Sequence, residues 1–133
     1  MNRYSKAATS SQYVYVKVKL TPGMVYFAPV EMHFLYDSKS KCVRYSMDGL
    51  ACHETVVTDF HEHVNIEKMF TDSPAPFYIT DVPIFIFHVK SGDKMIRIAF
   101  EYLNEILEYH KSYKWIVTLF EKICEKDQLI KYQ

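Results

Sequence analysis

Residues Tyr13-Val14-Tyr15-Val16-Lys17-Val18-Lys19-Leu20 alternate strictly, with Val14, Val16, Val18 and Leu20 on one side and Tyr13, Tyr15, Lys17 and Lys19 on the other. Successive side chains of a strand point to opposite faces, so a period of two rich in β-branched residues predicts a half-buried strand. Thr21-Pro22-Gly23 then supplies turn chemistry. A second strand is predicted over residues 24–36, with Val30, Met32, Phe34 and Tyr36 inward. Pro29 has no backbone N–H to give to a ladder, which places this strand at a sheet edge or at a bulge. Asp37-Ser38-Lys39-Ser40-Lys41 reads as a hairpin connection to a third strand through Val43, Tyr45 and Met47, closed by Asp48-Gly49. Thr55-Val56-Val57-Thr58 predicts a fourth strand over residues 55–60.

Helical spacing first shows at Ile66, Met69 and Phe70, which predicts a short helix within residues 61–70, ended by Asp72-Ser73-Pro74-Ala75-Pro76. Phe77 to Thr80 and Ile84 to Lys90 read as strands interrupted at Pro83, followed by a turn at Ser91-Gly92-Asp93. Residues 94–100 fit two patterns. Met95, Ile98, Ala99 and Tyr102 have helical spacing with Asp93 as a cap, whereas Ile96, Ile98 and Phe100 alternate as the return strand of a hairpin. From Tyr102 to Glu125 helix is the better fit, with Tyr113, Ile116, Leu119, Phe120 and Ile123 as its apolar stripe. Ser112 suits the cap of a second helix if the chain bends near His110-Lys111.

Strands first and helix last predict an α+β fold: an antiparallel sheet or half-barrel of about six strands with a C-terminal helix packed on it. This order, with Trp115 in the helix, resembles a pleckstrin-homology-type roll. The resemblance is one of fold and carries no function. The first hairpin has Pro22-Gly23-Met24 where a basic pair would suit phosphoinositides. Residues 1–11 are small, polar and unpatterned and are expected to form a disordered leader, leaving residues 12–133 as a single domain.

Composition narrows the function classes. The 133 residues carry 16 Lys plus Arg and 16 Asp plus Glu, a net charge of zero, so a polycationic nucleic-acid binder and an acidic tail are both excluded. Three glycines are too few for a P-loop or a dinucleotide fingerprint, and no GxSxG is present. The three cysteines, Cys42, Cys52 and Cys124, form no CxxC pair and read as reduced thiols of an intracellular protein, cytoplasmic or nuclear. No apolar stretch approaches the roughly 20 residues that span a bilayer. Aromatic residues are 16% of the chain, more than one small core hides, so some rings are expected at a surface or an interface.

Three constellations offer chemistry. The face of Tyr13, Tyr15, Lys17 and Lys19 combines rings that stack on bases with lysines that meet phosphates, which suits single-stranded nucleic acid. His61, His63 and Glu67 have the spacing HxHx₃E, which resembles the first metal motif of the cupin family over seven residues. The resemblance implies these three as metal ligands in an enzyme. Thr55 stands where that family's pattern has a glycine, and no second motif follows. The third constellation is apolar surface for a protein partner. On the strand over 24–36, Leu35 is a candidate contact, and Glu31, His33 and Asp37 discourage random pairing of an edge. On the C-terminal helix the candidates are Tyr109, Trp115 and Lys122. With no catalytic template, the chain is expected to be a non-catalytic protein-interaction module, a subunit or adaptor of a larger complex or a homodimer, without metal or cofactor.

Overall fold

A computed structural model describes residues 3–21, 30–47, 54–58, 60–71, 84–100 and 110–127. Six strands make one antiparallel sheet: β1 (Tyr13–Thr21), β2 (Val30–Asp37), β3 (Cys42–Met47), β4 (Glu54–Val57), β5 (Ile84–Ser91) and β6 (Lys94–Phe100). Their spatial order is β4-β3-β2-β1-β5-β6. Among the described residues the helices are α1 (Arg3–Ala7), α2 (Ile66–Thr71) and α3 (Lys114–Asp127), the last entered through a 3₁₀ turn at Lys111–Tyr113. The α+β class expected from the sequence is therefore present, with six strands and a C-terminal helix. The resemblance to a pleckstrin-homology-type roll gains no confirmation from this single sheet.

Register sorts the side chains into two faces. Val14, Val16 and Val18 of β1 lie beside Tyr36, Phe34 and Met32 of β2 and, in part, Val89 and Phe87 of β5. These residues join Val43, Ile98 and Phe85 in one buried cluster, which Met69 of α2, Tyr113, and Trp115, Ile116, Leu119 and Phe120 of α3 close from above. Tyr113 also donates a 2.6 Å hydrogen bond from its hydroxyl to the carbonyl of Met69, tying the start of α3 to the end of α2. Of the predicted stripe, Tyr113, Ile116, Leu119 and Phe120 are all buried here. Ser112 lies in the 3₁₀ turn, and Lys114 begins the α-helix.

The two-way reading of residues 94–100 resolves as strand. Ser91 pairs with Lys94 across a two-residue loop, and Gly92 has φ of 61°, the first central position that a type II′ turn reserves for glycine. Asp93 is thus spent in the hairpin rather than on a helix cap. Met95, which a helical stripe would bury, is 76% exposed.

Two expectations need correction. Residues Val30–Asp37 do not lie at an edge: β2 sits between β1 and β3 and pairs with both along its length. Pro29 lies outside the described residues. In place of a disordered leader, Arg3–Ala7 form a helical turn and a half on the outer face of the sheet. Tyr4 and Ala8, four residues apart and hence on one side of a helix, are buried against Tyr15 and Leu35. These two apolar side chains on the solvent side of the sheet need a cover, and α1 provides it. The strand expected over 77–80 and the turn at Asp48-Gly49 lie outside the described residues.

At the β2–β3 turn, Asp37 accepts hydrogen bonds from Gln12 Nε2 at 2.8 Å, the Lys39 amide at 2.9 Å and Ser40 Oγ at 2.9 Å. Slight burial pushes its carboxyl up, but these bonds outweigh it and hold the pKa below the ordinary value.

Candidate functional site

The outer face is built in cross-strand rows. One row runs Glu54, Ser46, His33, Lys17, His88, Arg97 from β4 to β6, because each of these residues faces the next in register. The neighbouring row runs Val56, Arg44, Leu35, Tyr15, Lys90, Met95. Sequence alternation fixes which side each residue takes, and the β1–β5 pairing brings Lys17 and Lys90 next to the β5–β6 hairpin.

The two halves of this face differ. Over β1 and β2 it is covered by α1 at Tyr15 and Leu35, and its polar groups there and on β3 and β4 pair with one another. Tyr4 donates to Glu54 Oε2 at 2.7 Å, and Arg44 Nη1 meets Glu54 Oε1 at 3.2 Å. Tyr15 Oη and His33 Nδ1 share a 2.6 Å hydrogen bond with their rings stacked, and His33 Nε2 lies 3.7 Å from Glu31. Over β1, β5 and β6 a groove of about 420 Å³ opens, walled by Ser5, Lys17, His88, Lys90, Met95 and Arg97 among others. Lys90 Nζ donates to the Ser5 carbonyl at 3.2 Å and to Ser5 Oγ at 3.4 Å, neutral partners that leave its charge in place.

The groove is cationic. Burial lowers the His88 pKa from the ordinary 6.5, and the charges of Lys17, Arg97 and Lys19 lower it further, with Glu31 opposing. Among the described residues, Lys17, Lys19 and Lys90 are in no ion pair with a carboxylate. A concave cationic wall attracts anions and carboxylates, with the field strengthened by the partly desolvated setting. Because the folded state holds His88 at a lowered pKa, the unfolded chain binds the extra proton more readily. The stability that follows is complete above pH 6.5 and is lost as pH falls through the lower folded value. Urea unfolding of wild type against His88→Gln across this window is expected to show a steeper loss in wild type; equal slopes would contradict it.

The candidates read from the sequence divide. Lys17 and Lys19 are half-buried on the groove side of the sheet. Tyr15 is 8% exposed beneath Tyr4 and Ala8, and Tyr13 is half-buried beside it. The stacking rings of the proposed nucleic-acid face are therefore spent on α1, and only the lysines remain. Leu35 and Trp115 are buried and offer no contact surface. Leu35 lies under α1, and Trp115 packs between Tyr36 and Phe60 with ring centroids 5.7 and 6.1 Å away. Lys122 is exposed on α3, and Tyr109 lies outside the described residues. His61 and His63 are exposed in an irregular segment, not on a strand, and Glu67 is exposed on α2. Among the described residues no three His, Cys, Asp or Glu side chains converge as metal ligands. No helix among them is long and apolar enough to cross a membrane.

His88, Lys90 and Arg97 were not legible as a site. Each alternates with apolar neighbours in its own strand, and only the pairing of β1 with β5, about seventy residues apart, joins them to Lys17. Comparison of the chain with models of known protein families finds no match, and comparison with curated proteins finds none either.

Proposed function

We propose that this chain is a non-catalytic protein-interaction module that takes an extended segment of a partner along β6. The supporting observation is the position of β6 at one end of the strand order, with Met95 76% exposed on it. In a two-residue hairpin the flanking pair is hydrogen-bonded, so Ser91 with Lys94, Val89 with Ile96 and Phe87 with Ile98 direct their backbone groups toward each other. Met95 between the first two of these pairs then directs its N–H and C=O groups away from β5, and an exposed edge of this kind is a template for an added strand. β4, at the other end, offers only four residues and has its outer face tied to α1 through Glu54.

Met95→Pro tests this reading. Proline there removes one outward donor and none of the β5–β6 bonds, and an edge strand tolerates it. For a peptide selected from a display library of extended segments, loss of an interface hydrogen bond is expected to weaken binding about tenfold. Circular dichroism and melting temperature should stay near wild type. Binding that is unchanged by Met95→Pro and maps away from β6 by amide chemical shifts would overturn the proposal.

A further inference from the structure

We infer that the groove over β1, β5 and β6 is a binding site for a small phosphate monoester, with the phosphate held between Lys17 and Lys90. The inference goes beyond strand addition to β6 and does not rest on it.

Register brings the two lysines together. On the outer face Lys17 of β1 has His33 and His88 as its cross-strand neighbours, and Lys90 of β5 has Tyr15 and Met95. A carboxylate directly opposite a lysine stabilises a sheet, and Lys19 has Glu31 in that place. Lys17 and Lys90 have none. His88 lies opposite Lys17 and two residues before Lys90, so the lysines are diagonal neighbours across the β1–β5 ladder. Diagonal positions stand roughly 7–8 Å apart, within reach of long side chains, so both ammonium groups can close on one anion.

Their setting favours such an anion. Lys17, His88 and Lys90 are half-buried and line the groove of about 420 Å³, where opposite charges attract more strongly than in open water. No Asp or Glu is among the described residues that line it. Lys90 Nζ gives two hydrogen bonds to neutral Ser5 oxygens and keeps its third donor. Arg97, also in the wall, already has an interaction of its own and is not required.

Charge and shape select phosphate. Two ammonium groups brought together repel; a dianion offsets both, whereas a carboxylate offsets one. The terminal oxygens of a phosphate monoester point in three directions, enough for Lys17, Lys90 and His88 together. Lysine suits phosphate as a point charge, whereas a planar carboxylate matches the fork of arginine. Burial and the cations around His88 favour its neutral ring, which donates one N–H without adding charge. The groove is near the lower end of small-molecule sites, roughly 300–1,000 Å³, so the ester carries a small body, which lies against Met95. Single-stranded nucleic acid fits less well: each phosphodiester has one charge, and Tyr15, which would stack a base, lies under α1.

The test titrates the full chain with phenyl phosphate, inorganic phosphate and benzoate, read by calorimetry and amide chemical shifts. Phenyl phosphate is expected to saturate about tenfold more tightly than benzoate, with shifts centred on Lys17, His88 and Lys90. Inorganic phosphate should fall between them, and bound phosphate should raise the His88 pKa. Lys17→Gln and Lys90→Gln should each weaken phenyl phosphate about tenfold, and Lys122→Gln, on α3, should leave it unchanged. Lys90→Gln also gives up the bonds to Ser5, so Lys17→Gln is the deciding variant. Benzoate binding as tightly as phenyl phosphate, full affinity in Lys17→Gln, or shifts that map away from the groove overturns the inference. So does a lack of saturation by phenyl phosphate at millimolar concentration. Oligothymidylate that displaces phenyl phosphate at equal phosphate concentration assigns the groove to a polyanion and overturns it too. Strand addition would survive each of these failures, because its own test reads peptide binding in Met95→Pro.

Discussion

Trp115→Ala is expected to cost about 3–5 kcal/mol, the largest loss from any single substitution in the described core. A domain of this size is stabilised by only about 5–15 kcal/mol, so a large share of the chain would unfold near body temperature. Trp115 is 1% exposed and belongs to the cluster that joins α3 to the inner face of the sheet. Its ring lies against Tyr36 of β2 and against Phe60, which follows β4, so it bridges the helix to the half of the sheet farthest from β6. Alanine would leave a cavity that the two remaining rigid rings, Tyr36 and Phe60, close poorly. Trp115→Phe keeps a ring, and because the indole N–H has no hydrogen-bond partner among the described residues, it forfeits no such bond. Phenylalanine should therefore cost much less, roughly 1–2 kcal/mol. Guanidinium unfolding followed by circular dichroism checks both, since the chain has one tryptophan and loses its fluorescence probe in either variant. A loss under 1 kcal/mol for the alanine variant would mean that α3 is not held through this residue. By the same reasoning a charge at position 115 would unfold the protein rather than release a partner from a helix surface.

What the sequence reveals depends on the range over which each feature is determined. The alternation of Val14, Val16 and Val18 is local, and β1 is where that pattern puts it. The stripe of Ile116, Leu119 and Phe120 is local too, and it buries as its period requires. Met95 to Phe100 carries both periods at once, and the deciding quantity is the left-handed backbone at Gly92, which the pattern alone does not display. The rank of β2 within the sheet is set by two ladders with other strands, which no residue of the strand itself displays. The groove lies furthest from sequence. Lys17 is visible on the outer face of β1, but its neighbours His88 and Arg97 come from strands that reach it only through long-range register. The cover over Tyr15 fails to show for a different reason: α1 has too few apolar residues to raise a periodic signal. Five residues do not form a stable helix alone, so α1 exists through its contacts.

That dependence makes Ala8→Glu a sharp local perturbation. Ala8 is fully buried between α1 and the sheet, and its carbonyl accepts the Gly92 amide at 2.8 Å. A carboxylate buried at this point would have to be desolvated, at a cost of several kcal/mol. Releasing α1 is cheaper. It exposes Tyr4, Tyr15 and Leu35 and loses the Tyr4 bond to Glu54, an upper bound of about 2–4 kcal/mol from apolar area. The core beneath α3 shares none of these contacts, so thermal unfolding should remain cooperative at a lower midpoint. Limited proteolysis should cut near residues 3–12 in the variant and spare wild type, and the Gly92 amide should lose protection against hydrogen exchange. Wild-type protection at Gly92 in the variant would show that α1 stays docked despite the charge. Release also takes Ser5 away from Lys90 Nζ and removes one wall of the groove. Lys90 Nζ would then lose both of its Ser5 acceptors, and the β5–β6 hairpin would lose its tie from Gly92 to Ala8.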